Sequence, residues 1–309
     1  MSTRTLPVMM AATALAAIAI GSAARGSAAQ DPREVKIETI KVTESVYMLI
    51  GPQSGNIGLC VGRDGNFMID DQYAHHTGPI LQAAAAVNDD PIRFLVNTHW
   101  HGDHTGGNEN MAGEGALIVA HENVRVRMSA DQFMSAFNNT VPASPEAARP
   151  VITFTESMTF HWNGDAIHIF HVANAHTDGD AIIHFRSNNV IHMGDTFFNG
   201  FYPFIDVGSG GSIDGVIAAA DKVLAMADPQ TRIIPGHGPL ATSRELRTYR
   251  DMLRAVRQNV QTLVRHGKTR EETIAAKPSA DYDEAWGSGF MNPETFIGLV
   301  YDSLAQPTP

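Results

Sequence analysis

The stretch "NTHWHGDHTGGN", residues 97–108, limits the possible folds of this chain more than any other. It crowds His99, His101, Asp103 and His104 into six positions and follows them with glycine. Imidazole nitrogen and carboxylate oxygen are the donors that zinc and similar cations take. His99 and His101 are two apart, so in extended backbone they share a face. Asp103 and His104 follow at once, and only a turn brings them round to a second centre. Gly102, Gly106 and Gly107 permit that turn and allow backbone to come close to an ion. Six positions cannot complete a site, so the fold must return other ligands to this loop.

Three later segments offer them, each just after a strand-like run. "VANAHTDGD" supplies His176, "IHMGDTFF" supplies Asp195 and "IIPGHGP" supplies His237. A strand end followed by glycine is where a rigid scaffold places functional side chains. Two three-ligand sets can be built. His99, His101 and His176 would hold one ion, and Asp103, His104 and His237 the other. Asp195 has two oxygens and can bridge. A structural zinc is usually closed by four ligands, often cysteines. This chain has one cysteine, Cys60, inside the apolar run "NIGLCVG", where it reads as a small buried hydrophobe.

The pattern along the chain gives the frame. "VKIETIKV", "VYMLIG", "NIGLCVG" and "NFMIDD" read as short strands separated by turn residues. "TGPILQAAAAV" reads as a helix with Thr77 as its cap. "IRFLVNTH" is a buried strand that delivers the histidine loop, and "GALIVA" is another strand. Residues 121–137 look helical, and 138–150 look like a loop or linker. A second series follows: "VITFTESMTF", "AIHIFHV", "AIIHFRS" and "VIHMGD". Next come a helix capped by Ser212, the strand of "TRIIPGHG", and a long amphipathic helix from about Thr242 to His266. Two β-rich lobes covered outside by helices make a four-layer αββα sandwich. The expected division is 1–29, 30–240 as the catalytic domain, and 241–309 as a helical extension packed on it.

Residues 1–29 read as a secretory signal peptide: Arg4, an Ala/Met/Ile/Leu run, then Ser27-Ala28-Ala29. A periplasmic or secreted protein is expected, with no stable membrane insertion after cleavage. A net charge of −11 argues against nucleic-acid binding. A small-molecule substrate is the expected partner.

"HWHGDH", "AHTDGD", "GDTFF" and "PGHGP", in that order, resemble the metallo-β-lactamase superfamily of αββα metallohydrolases over roughly residues 40–240. The motif around Asp195 is similar to that of the glyoxalase II-like and lactonase-like branches. The best-known β-lactamase branch has a cysteine ligand there, and this chain departs from it. His101 stands where the diiron flavoprotein branch has glutamate. The resemblance implies an orienting role for the aspartate at the strand end of "FMIDD", Asp70 or alternatively Asp71. It implies two zinc ions per chain, with one iron or mixed metals as the alternative. Two such ions a few ångströms apart share a water, lower its pKa and polarise a carbonyl.

The expected chemistry is hydrolysis of a cyclic amide or ester carbonyl, β-lactam or lactone-like, with Asp103 and Asp195 assisting. The alternatives are a thioester or ester hydrolase of glyoxalase II-like type, and a non-catalytic metal-binding accessory protein. Tyr202 and Asn199, just after Asp195, are candidate substrate contacts. Arg244, Arg247, Arg250, Arg254 and Arg257 are either a solvated helix face or an anion-binding patch. Ala280–Met291 is read as a lid, a dimer contact or ordinary packing.

Overall fold

Two sheets stack face to face in the computed structural model, which describes Met1 and residues 35–305. The first sheet contains β1 (Glu38–Lys41), β2 (Val46–Ile50), β3 (Ile57–Cys60), β4 (Asn66–Ile69), β5 (Ile92–Val96) and β6 (Leu117–His121). A separate hairpin, β7 (Gln132–Met134) and β8 (Asn139–Val141), precedes its last strand, β9 (Ile152–Phe154). The second sheet runs β10 (Ser157–Trp162), β11 (Asp165–His171), β12 (Ala181–Phe185), β13 (Val190–His192), β14 (Arg232–Ile234) and β15 (Ala241–Thr242).

Strand alternation sets the layers. Phe67 and Ile69 of β4 face the second sheet, and meet Ile167, Ile169, Ile183 and Phe185 in a core between the sheets. Met68 and Leu95 face the other way, onto Ile80 and Ala84 of α1 (Thr77–Val87). Burial on both faces explains why β3 and β4 read as continuous apolar runs rather than alternating ones. On the far side, Phe170, Ile182 and Ile191 pack under the later helices. The result is the αββα sandwich.

The short helices α2 (Gly102–Thr105), α3 (Asn108–Gly113) and α4 (Glu122–Met128) follow β5 and β6. The outer helices are α5 (Ile213–Met226), α6 (Ser243–Arg265), α7 (Arg270–Ala275), α8 (Ala280–Trp286) and α9 (Pro293–Ala305). Ser212 caps α5 as expected, its hydroxyl accepting from Gly215 N–H. Thr242 and Glu245 form a capping box at the start of α6. That helix buries Leu246, Tyr249, Met252, Leu253, Val256 and Val260. A fully buried side chain of this size is worth about 1.5–3 kcal/mol.

Three local expectations fail. The helix expected over 121–137 ends at Met128. Asp178 takes the guanidinium of Arg127 at 2.7 and 2.8 Å, and the Gln132 amide donates to the Arg127 and Ala130 carbonyls, closing the helix. The chain then turns into β7. Residues 138–150 are not simply a linker, because they supply β8. Thr77 does not cap α1: His76 holds that position, and the Thr77 hydroxyl accepts from Asn110 instead.

The signal-peptide reading of 1–29 lies, Met1 aside, outside the described residues. Among the described residues no helix is long and apolar enough to cross a membrane.

Candidate metal centre

The strands β4, β5 and β6 run parallel, as do β13 and β14. Their carboxyl ends aim one set of loops at one edge of the sandwich, the usual place for a site in parallel sheets. Asp70 follows β4, His99 follows β5, Asp195 follows β13 and His237 follows β14. His176 arrives on the loop between β11 and β12.

All seven candidate ligands meet there. Donor atoms of His99, His101 and His176 lie within 4.8 Å of one another, as do those of Asp103, His104 and His237. Asp195 faces both sets. Its Oδ2 is 3.6 Å from His176 Nε2 and 3.3 Å from His237 Nε2, while its Oδ1 is 3.0 Å from His104 Nε2.

The partners behind the rings fix where the protons sit. His101 Nε2 meets Asp206 Oδ2 at 3.0 Å, and His176 Nδ1 meets the Phe204 carbonyl at 2.8 Å. Both partners only accept, so each ring carries its proton on the outward nitrogen. The Thr98 hydroxyl donates to Asp70, so it accepts from His99 Nδ1, 3.0 Å away. His104 Nδ1 donates to Asp70 Oδ2 at 2.8 Å.

The inward nitrogens of His99, His101, His104 and His176 therefore all present lone pairs. His101 Nδ1 is only 3.1 Å from His99 Nε2 and 2.9 Å from His176 Nε2. Among the described residues, buried His104 Nε2 and Asp195 Oδ1 have no hydrogen-bond partner. Such orphaned acceptors call for an explanation, and facing lone pairs at this distance are what cations resolve. The donor set is one that could hold divalent metal.

Electrostatics match the protonation states that ligands need. Burial, with His104 nearby, holds His99 well below the usual imidazole range, and burial brings His176 down to about 4. Burial opposes charge on Asp103, but His104 and His237 hold its carboxyl at about 2. His237 behaves oppositely: burial disfavours its cation, yet the Asp195 and Asp103 carboxylates raise it to about 9. Protons and cations compete for that ring.

Close approach is built into the loops. A Cβ at Gly55 would lie 2.1 Å from His104 Cε1, and one at Gly236 would lie 2.1 Å from Asp195 Oδ1. Only glycine fits at either position.

Of the strand-end aspartates, Asp70 rather than Asp71 supports the ligands. Asp71 accepts from Gly107 N–H and ties down the loop beyond. The expected substrate contacts need correction. Tyr202 is fully buried, and its hydroxyl donates to Asp283 Oδ1 at 2.8 Å, so it braces α8. The Asn199 amide donates to the Pro239 carbonyl and braces the loop carrying His237. Asp206 and Phe204, which hold His101 and His176, were missed; "FIDVGSGG" shows only an aspartate before glycines. Tyr73 was missed too. It is 37% exposed, and burial followed by the charge of Asp103 raises its phenol.

A family model described as the metallo-beta-lactamase superfamily matches residues 50–237. The chain belongs to that superfamily. A hydroxyacylglutathione hydrolase of Nitrosococcus oceani is 29% identical over 157 residues. That match takes in 50% of this chain and 52% of the relative, so the chain spans about half the relative's length.

Solved structures agree on the fold. A metallo-beta-lactamase from Pontibacter korlensis superposes with TM-score 0.58 at 17% identity, over 71% of this chain and 99% of that one. The DIM-1 metallo-beta-lactamase gives 0.56 at 18% identity, over 72% and 99%. A double mutant of the sec-alkyl sulfatase PisA1 gives 0.65 at 18% identity, over 86% of this chain and 50% of that one. Superfamily membership and the relative's name together point to a metal-dependent hydrolase.

Proposed function

We propose that this chain is an exported hydrolase with two zinc ions, acting on a cyclic amide or ester carbonyl of the β-lactam or lactone kind. The observation that carries this is Asp195, whose Oδ1 faces His104 of one three-ligand set and whose Oδ2 faces His176 of the other. Divalent ions held there would lower the pKa of water and polarise a carbonyl oxygen.

The residues do the positioning. His99, His101 and His176 would hold one ion; Asp103, His104 and His237 would hold the other, with Asp195 between them. The side chains of Asp103 and His237 are 22% and 25% exposed, whereas Asp195 is 5% and His104 fully buried. Substrate therefore enters on the Asp103–His237 side, where Tyr73 lies. Asp103 and Asp195 are the carboxylates placed to orient water and take up its proton. The buried backing of Phe204, Asp206 and Asp70 keeps the ligands rigid and bulk water away.

A second reading, thioester hydrolysis, is supported by the name of the Nitrosococcus relative. Three of the α6 arginines do not add to it. Arg250 and Arg254 pair with Asp221, and Arg257 pairs with Asp214, both on α5. They join two helices rather than forming a free anion patch.

The test is turnover of nitrocefin, a lactone and a thioester by the zinc-loaded chain lacking residues 1–29. Lactam or lactone turnover near ~1 s⁻¹ or above, the low end of ordinary kcat values, supports the first reading. Thioester turnover alone supports the second. An inert, fully loaded protein contradicts both and leaves the accessory role. Detection of the chain in the periplasmic fraction tests export.

A further inference from the structure

A second cluster of chemistry-bearing side chains lies away from the metal centre. β10, β11 and β12 turn one face toward the outer helices, and α5 does not cover all of it. A groove of about 640 Å³ remains between these strands and the end of α5. His168 and His184 stand directly opposite each other on β11 and β12, and Arg186 lies two residues beyond His184 on the same face. Lys222 comes from α5, with its ammonium 4.3 Å from the centre of the buried Phe170 ring.

The charge balance in this groove is unusual. The whole chain carries −11, yet Glu156 is the one carboxylate among the lining residues. Among the described residues neither Arg186 nor Lys222 has an ion-pair partner. The arginines at 250, 254, 257 and 270, by contrast, all reach aspartates. Exposed cations left unpaired around a concave, partly apolar floor make a receptor for negative charge. Arginine offers a planar fork that fits a tetrahedral oxyanion, lysine adds a point charge, and the imidazoles add donors.

We propose that this groove binds an organic oxyanion, a phosphate or sulfate monoester. Its anionic head would sit between Arg186, Lys222 and the His168–His184 pair, and its organic body along the rest of the groove toward Met226. The volume exceeds what a bare phosphate fills, which favours an oxyanion that carries an organic body. The site is independent of the metal centre and of the reaction proposed for it.

The experiment is isothermal titration of the zinc-loaded chain with phenyl phosphate and with inorganic phosphate, compared with the double variant Arg186→Gln/Lys222→Gln. Both side chains are exposed, so the variant keeps its fold and its hydrolytic rate. The expected result is one phenyl phosphate per chain, held more tightly than inorganic phosphate and weakened on the order of 10–100-fold in the variant. Binding that persists in the variant would place the anion at the metal ions and overturn the proposal. Absence of saturable binding would overturn it too. Binding to phosphatidylglycerol vesicles without binding to phenyl phosphate would assign the groove to a membrane surface instead.

Discussion

His104 Nδ1 lies 2.8 Å from Asp70 Oδ2, and Asp70 reaches it from left-handed backbone at φ 59°. The same carboxylate takes the Thr98 backbone N–H at 2.7 Å and the Thr98 hydroxyl at 2.8 Å. One buried group thus fixes the tautomer of His104 and, through Thr98, that of His99. A non-glycine residue is held at positive φ only where its surroundings over-determine it. Removing such a partner commonly lowers metal affinity 10–100-fold. Asp70→Asn is expected to lower zinc affinity by roughly that factor, measured by competition with a chromogenic chelator. An unchanged affinity would remove Asp70 from the account.

Gly55→Ala tests the close approach. The added methyl would sit 2.1 Å from the His104 ring, which has no room to retreat from Asp70. The expected outcome is loss of about one zinc of two and a fall in kcat of at least about tenfold, or about 1.4 kcal/mol in the barrier. The first ion, on His99, His101 and His176, should remain. Metal analysis after desalting checks both statements.

The extent to which the site could be read from sequence follows from its chemistry. The candidate ligands cluster in "HWHGDH", and the returning ones each sit between a β-run and a glycine, so the convergence of His176, Asp195 and His237 on that loop was legible. The groups behind them were not. Phe204 acts through its carbonyl, which leaves no mark in the side-chain pattern, and Asp206 looks like any turn aspartate. Tyr202 misled because proximity in sequence to Asp195 says nothing about direction; the chain turns it toward α8. The layers were legible because β10 and most of β11 alternate with a strand period, while β3 and β4 are short continuous apolar runs bounded by turn residues. The β7–β8 hairpin was not, because the contact at the end of the helix before it joins Arg127 to Asp178, 51 residues away.

Arg254→Ala is expected to leave KM for any substrate unchanged and to alter stability by no more than about 1 kcal/mol. Its partner Asp221 is on α5, and exposed pairs contribute about 0.2–1 kcal/mol. Steady-state kinetics and urea unfolding check this. A large rise in KM would restore the anion-binding reading of α6.

The capping box of α6 gives a pH-dependent prediction. The Thr242 hydroxyl, more than any other neighbour, holds the Glu245 carboxyl down to about 2 from an ordinary 4.5. A depressed acid stabilises the fold above its unfolded pKa, and that contribution is lost as pH falls through the folded value. Thr242→Ala should lower stability by ~1 kcal/mol at neutral pH, as capping losses do. The gap between wild type and Glu245→Gln should shrink as pH drops from about 4.5 toward about 2. Urea unfolding of both proteins across that range, without zinc, measures it. A gap that grows on acidification would contradict the assignment.

The most direct test of the central claim is metal content and hydrolysis measured on one preparation of the chain without residues 1–29, for wild type and for His101→Ala. The account predicts two zinc per wild-type chain and turnover of a lactam, lactone or thioester. For His101→Ala it predicts about one zinc and no turnover. A wild-type chain that takes up a single iron and hydrolyses none of the three, or a His101→Ala chain that keeps full activity, would contradict it.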